Sequence, residues 1–315
     1  MLLAAISTED LSKHYGTIKA LDKLNLEVPE NVVFGFLGPN GAGKTTTVKL
    51  LTGFARPTSG TAWVAGEKVG DGNLALQAKT GLLPDVPAFY GWMSGREFLY
   101  LVSELHHLPQ GEIRKRTEEL LELVELGKAG NRRIGGYSRG MRQRLGIAQA
   151  LVNRPRVLFM DEPTSALDPI GRREVLGLIL RLRETATIFM STHILSDVER
   201  VCDMVGIVDK GRLVTVSSVE ALRKKYARSV FEMEFMEDAK PFVQSLKQVS
   251  WLAEPELVVQ NGVPLVRVRA VDVDRARKEL PRLISESGLT LTHYELSLPS
   301  LEDIFVEILN SGDAR

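Results

Sequence analysis

The sequence predicts a layered α/β domain over residues 1–218, joined by a connector at 219–228 to a small α+β domain over 229–315. Three observations predict it. Short, wholly apolar runs alternate with segments of helical period through most of the first domain, as expected when helices are layered on a sheet. A glycine-rich loop stands between one such run and one such helix. Beyond residue 229 the order becomes strand, helix, strand, strand, helix, strand, which resembles a two-layer sandwich. At 315 residues the chain has length enough for two separate cores.

Residues 11–28 mix turns with short alternating stretches and read as an edge sheet. Tyr15 ends one of these stretches; it is either a surface ring beside a turn or a platform on which a purine could stack. The run Val32-Val33-Phe34-Gly35-Phe36-Leu37 is a buried strand, and Thr47-Val48-Lys49-Leu50-Leu51 continues as a helix. Between them lies Gly38-Pro39-Asn40-Gly41-Ala42-Gly43-Lys44-Thr45-Thr46. Strand, glycine loop and helix are the setting in which backbone N–H groups curl round an anion and the helix adds its positive end. Lys44 can then reach the outer phosphates, and the Thr45 hydroxyl can ligate magnesium, so a nucleoside triphosphate is the implied ligand.

A break at Phe54 to Gly60 is followed by a strand ending at Gly66, and Gly81-Leu82-Leu83-Pro84-Asp85 closes another. Phe89, Tyr90 and Trp92 then form an aromatic cluster, either internal packing or a docking surface for another polypeptide. Residues 112–126 read as an amphipathic helix stopped by Gly127. Gly135-Gly136-Tyr137-Ser138-Arg139-Gly140-Met141 enters a further helix, where Ser138 and Gly140 form a second helix start able to receive an anion.

The apolar strand Val157-Leu158-Phe159-Met160 ends in Asp161-Glu162. Carboxylates at the end of a buried strand are costly unless they serve an ion or a proton transfer. Asp161 can hold magnesium, and Glu162 can accept a proton from an attacking water. A turn at Ser165-Ala166-Leu167-Asp168-Pro169 leads to a helix over 172–183, and Thr187-Ile188-Phe189-Met190-Ser191-Thr192 is a strand that delivers His193. A helix around 194–201 and a hairpin about Asp209-Lys210-Gly211-Arg212 complete the domain. In the tail, strands are expected at 230–235, 257–259, 265–269 and 289–296, and helices at 240–249, 274–286 and 301–309. That tail holds no phosphate loop, metal cluster or nucleophile–base pair, so it reads as a regulatory or assembly domain.

Lys plus Arg equals Asp plus Glu at 40 each, and this neutrality argues against wholesale wrapping of nucleic acid. The single cysteine, Cys202, can form neither an internal disulfide nor a zinc site alone, which fits a reducing compartment. The apolar start lacks a basic head, and no run approaches the roughly 18 apolar residues of a membrane-spanning helix. No transmembrane span of its own is expected.

Taken together, these motifs resemble the nucleotide-binding subunit of an ABC transporter over about residues 11–215. The 38–46 loop is similar to the family's Walker A loop, Tyr137-Ser138-Arg139-Gly140-Met141 to its signature, and Leu158-Phe159-Met160-Asp161-Glu162-Pro163-Thr164 to its Walker B strand. Ser165-Ala166-Leu167-Asp168 resembles the D-loop, His193 the switch histidine and Tyr15 the adenine-stacking aromatic. Three departures stand out: Asp85 where the Q-loop glutamine is expected, Arg139 in place of a signature glycine, and Met141 in place of its glutamine. Such variation, Leu83-Pro84-Asp85 and the ending Leu298-Pro299-Ser300-Leu301-Glu302-Asp303-Ile304-Phe305 resemble the ABC-2 and drug-export type.

The resemblance implies an ABC-type P-loop NTPase fold, with a mixed sheet core and an antiparallel edge sheet. It further implies a magnesium-dependent ATPase that dimerises on ATP and powers transport, with export the subfamily expectation, through a separate multispanning permease. ATP would be held by Gly38, Pro39, Asn40, Gly41, Ala42, Gly43, Lys44, Thr45 and Thr46 of one copy, with Tyr15 beside the base, and capped by Ser138 and Gly140 of a second. Magnesium would be held by Thr45, Asp161 and Asp85; Glu162, His193 and Lys44 would act in catalysis, and Asp168 would communicate across the dimer. The expected location is peripheral, on the cytoplasmic face of a prokaryotic membrane, without nucleic acid. A soluble ABC ATPase acting on nucleic acid or ribosomes is the alternative, and a nonhydrolytic regulatory module a further one.

Overall fold

The computed structural model describes residues 4–70, 72–225, 230–260, 263–297 and 301–312. Residues 298–300 of the expected ending and 226–229 of the expected connector lie outside that set. Contacts divide the chain into two compact units between Val219 and Glu220.

In the first unit, strands β1 (Ala4–Tyr15), β2 (Ile18–Pro29), β3 (Val33–Leu37), β4 (Ser59–Val64), β5 (Glu67–Lys68), β6 (Thr80–Leu83), β7 (Val157–Asp161), β8 (Thr187–Thr192), β9 (Met204–Asp209) and β10 (Arg212–Ser218) build two sheets. One is antiparallel, in the order β2-β1-β4-β5. The other runs β10-β9-β3-β8-β7-β6, parallel from β9 to β6, with β10 added as an antiparallel edge. The central strands are buried at every position because both faces are covered, which is why they read as unbroken apolar runs. The β9–β10 hairpin turns through Lys210 and Gly211, both with positive φ, as the Asp-Lys-Gly-Arg signal predicts.

Helices α1 (Lys44–Leu51), α2 (Leu74–Lys79), α3 (Gly95–Leu105), α4 (Gln110–Leu123), α5 (Arg139–Ala150), α6 (Pro169–Leu182) and α7 (Leu195–Val201) punctuate the strands, and α8 (Val219–Lys225) falls at the boundary and almost wholly in the second unit. Val48, Leu50 and Leu51 of α1 share one core with Ile6 and Val28 of the antiparallel sheet and Phe34, Phe36, Phe159 and Phe189 of the parallel one. The Phe189 ring lies 5.6 Å from Phe34, 5.3 Å from Phe36 and 5.6 Å from Phe159, so β3, β7 and β8 are held in register by one aromatic cluster. Each such ring contributes about 1.5–3 kcal/mol by burial.

Several sequence expectations shift. The helix expected over 112–126 ends at Leu123. The next two residues form a left-handed cap: Glu125 has φ +58°, its N–H bonds Glu122 O, and Leu126 N–H bonds Leu121 O. Buried Val124 and Leu126 prolong the apolar pattern past the helix because they pack from this turn. The helix expected from 172 begins at Pro169, where Asp168 caps it by accepting from Gly171 N–H at 2.8 Å and the proline occupies the first turn. Helix α2 was not expected; its Asn73 cap accepts from Leu76 N–H. The aromatic cluster divides: Phe89 packs edge-on against Phe98, whereas Tyr90 and Trp92 are exposed.

The second unit contains β11 (Val230–Phe235), α9 (Lys240–Leu246), β12 (Leu252–Gln260), β13 (Val263–Ala270), α10 (Val273–Ser287) and β14 (Leu291–Ser297), followed by α11 (Leu301–Gly312). Its antiparallel sheet has the order β12-β13-β11-β14. Alternate residues Phe231, Met233 and Phe235 join Phe242, Leu246, Val266, Val268, Leu280 and Ile284 in a core of its own. Helix α9 stops at Leu246 rather than 249, and β12 begins as early as Leu252.

Candidate active site

Parallel strands deliver their C-terminal ends to one edge of a sheet, and this edge collects the motifs. The 38–46 loop follows β3, Asp85 follows β6, Asp161 and Glu162 end β7, and His193 follows β8. Because β8 lies between β3 and β7, the loop, the acidic pair and the histidine are neighbours by topology alone.

The phosphate loop needs its glycines. Gly41 and Gly43 have φ of +82° and +104°, and a Cβ on Gly43 would stand 2.5 Å from Ala20 O. That approach sets the end of the β1–β2 hairpin against the loop. Gly43 also precedes α1 without offering a side-chain cap, leaving the first N–H groups of the helix for an anion. Lys44 is buried; its Nζ donates to Gly38 O at 2.8 Å and Pro39 O at 3.3 Å and stands 3.5 Å from Glu162 Oε1. Thr45 is exposed beside it.

Asp161 is buried and accepts from the Ser191 hydroxyl. Glu162 has φ +48°, a left-handed conformation that costs about 1–2 kcal/mol in a residue with a Cβ. Its N–H donates to Ser191 O at 2.9 Å, and its Oε2 lies 2.9 Å from His193 Nδ1 and 3.3 Å from Thr192 Oγ1. One carboxylate therefore faces an ammonium on one side and an imidazole and a hydroxyl on the other. Asp85 lies in the same field: desolvation first, then the charges of Asp161 and Glu162, raise its pKa above the usual carboxylate value, opposed by Arg139 and His193.

The remaining predicted residues sit on other elements. Ser138 caps α5, accepting from Met141 N–H at 3.2 Å, with Gly140 in the first turn; these groups bond locally, not to the phosphate loop. Asp168 caps α6. Tyr15 is half exposed, with Lys13 Nζ 4.9 Å from its ring centre, and it borders a cleft of about 990 Å³ shared with Lys49, Phe54, Leu82 and Pro84. Among the described residues no cluster of three or more His, Cys, Asp and Glu could hold a metal by itself. The donors present, a threonine hydroxyl and carboxylates beside a phosphate site, suit magnesium, which takes few protein ligands and completes its shell from phosphate and water.

Sequence reasoning missed Ser191 and Thr192, which bond the acidic pair; the polar run Ser191-Thr192-His193 after Ile188-Phe189-Met190 was the available signal. It also missed Asp197, 1% exposed, and exposed Phe54 at the cleft.

Residues 21–165 match a family model described as ABC transporter, and residues 218–309 match the C-terminal domain of DrrA1-3-like ATP-binding proteins. The chain is 39% identical to an uncharacterized ABC transporter ATP-binding protein, YxlF, of Bacillus subtilis, over 97% of this chain and 100% of the relative. It is 36% identical to the bacitracin transport ATP-binding protein BcrA of Bacillus licheniformis, over 98% of each. Among solved structures, a bacterial ABC transporter cassette, MJ0796, in dimeric form is similar with a TM-score of 0.62 and 25% identity, over 68% of this chain and 98% of that one.

Proposed function

Since the chain belongs to the ATP-binding subunits of ABC transporters, enzymes that couple ATP hydrolysis to transport, we propose how its residues share that work and what they work upon. The carrying observation is Glu162, held between Lys44 and His193 beside a glycine loop that leads into α1. Backbone N–H groups of the 38–46 loop and Lys44 hold the β- and γ-phosphates, and Tyr15 stacks on the adenine. Thr45 and Asp161, with Asp85 nearby, hold magnesium, which when bound offsets phosphate charge. Glu162 accepts a proton from water as the water oxygen attacks the γ-phosphorus and ADP leaves. His193 orients Glu162 through Nδ1 and leaves Nε2 for the γ-phosphate.

Ser138 and Gly140 at the start of α5 cap the ATP held by a second copy, and Asp168 lies where the two copies communicate. This division is supported by the local bonding of α5 within one chain and by the dimeric form of the similar cassette. Among the described residues no helix is long and apolar enough to cross a membrane. In this reading a separate multispanning permease carries the solute and the chain sits peripherally on the cytoplasmic face of a bacterial membrane, supported by bacterial relatives described as ATP-binding proteins of transporters. The permease docks on the 85–92 segment, where Val86, Tyr90 and Trp92 are exposed. Export is the direction carried by this reading, and the DrrA1-3-like C-terminal match and the bacitracin transport relative support a solute-transport role. No observation favours nucleic acid or ribosomes: the relative is a transport protein along its whole length, and the composition is neutral.

The test has two readouts. Glu162→Gln lowers ATP turnover by about 100-fold or more while ATP still binds, and the chain purified from gently solubilised native membranes brings a multispanning protein with it. Wild-type turnover in Glu162→Gln removes Glu162 as the base; recovery only from the soluble fraction removes the permease.

A further inference from the structure

The turn that follows Glu162 is strained at two points. Glu162 and Ala166 have φ of +48° and +52°, and Ser165 N–H and Leu167 N–H bond back to Glu162 O at 3.1 Å and Thr164 O at 3.3 Å. Something must hold this turn against relaxation. Thr164 is 2% exposed, and its hydroxyl donates to Asp197 Oδ2 at 2.5 Å. Asp197, itself 1% exposed, receives Arg172 Nε on its other oxygen at 2.7 Å, while Arg172 also donates to Ser196 Oγ at 2.7 Å. Three segments meet on one carboxylate: the strained turn, the first turn of α6 beyond its Asp168 cap, and α7, which begins two residues after His193. Asp197 occupies the third position of α7, where an acid commonly reaches back to cap its own helix. Ile194 offers no side-chain cap there, and the carboxylate points across to Thr164 and Arg172 instead.

We propose that Asp197 is a positioning residue for hydrolysis: its buried carboxylate, held by Arg172, grips Thr164, fixes the strained 162–168 turn and thereby sets Glu162 against His193. A buried carboxylate is costly to keep, and both of its oxygens are satisfied by groups from the elements whose spacing matters. Asp197 touches neither phosphate nor water in this role. It acts through the backbone that begins at Glu162 and through the helix that follows His193. The inference rests on the assignment of Glu162 and His193 above.

The test compares full-length wild type, Asp197→Asn, Asp197→Glu and Thr164→Val for kcat, KM for ATP and thermal midpoint, with Glu162→Gln as control. Asp197→Asn lowers kcat about tenfold while KM stays within about twofold, because displacing a reacting group affects the chemical step more than ground-state binding. Asp197→Glu recovers most of that loss. Thr164→Val keeps the ion pair to Arg172, leaves the chain folded and still lowers kcat severalfold. Folded Thr164→Val with wild-type kcat overturns the proposal even where Asp197→Asn fails to fold. So does a rise of KM in proportion to the loss, which marks a binding role. Wild-type turnover in the Glu162→Gln control instead overturns the underlying assignment, which separates the two failures.

Discussion

Cys202 shows how far one side chain can be read from its surroundings. Its Sγ would lie 3.0 Å from a Cβ on Gly35, so the absence of a side chain in β3 makes room for it. Burial pushes its thiol pKa upward, and the negative charges of Asp203 and Asp197 add to the shift. The folded state therefore retains a proton that the unfolded chain loses above about pH 8.5, the ordinary thiol value. The folded state then binds more protons, so this contribution to stability is fully present below that pH and declines as pH rises further. Two outcomes follow: iodoacetamide at pH 8.5 labels the folded chain more slowly than the denatured chain, and Cys202→Ala shows a shallower alkaline loss of stability. The sequence excluded an internal disulfide and a zinc site built on this residue alone; the direction of its titration needed its burial against β3, with Asp203 and Asp197 beside it.

At the scale of elements, local signals were legible where a cap or an apolar run coincided with a boundary. The strands β3, β7 and β8 announce themselves as apolar runs because both faces are covered, and the turn at Lys210-Gly211 carries its own glycine. The end of α4 did not. Its left-handed cap falls on Glu125, where glycine is the usual choice, and the glycine that looked like the stop lies two residues later at Gly127. Glu125→Gly relieves the left-handed conformation and raises stability by about 0.5–1 kcal/mol, seen as a higher thermal midpoint. The pairs that Glu125 makes with Arg181 at 3.2 Å and Arg144 at 3.8 Å reduce the gain only slightly, since its side chain is more than half exposed. The Asp197 bridge was illegible for a different reason. Nothing local distinguishes an acid in the first turn of a helix, and its partners Thr164 and Arg172 lie 33 and 25 residues away.

For the whole molecule, the order of motifs along the chain was enough to indicate one catalytic edge, because parallel strands bring successive loops to the same side. Lys44, Glu162 and His193 meet there within hydrogen-bonding or ion-pair distance. Ser138 at the start of α5 caps its own helix through Met141 N–H, and the proposed role of that helix start lies in a second copy. The C-terminal unit was legible as strand–helix order, and its separate core of Phe231, Met233 and Phe235 explains why that pattern is regular. The central claim, an ATP site completed by two chains, is tested most directly by sedimentation of Glu162→Gln with and without ATP and magnesium. A dimer that forms only with ATP and is lost when Ser138→Arg is added is the predicted result; a monomer at saturating ATP, or a dimer indifferent to both changes, would contradict it.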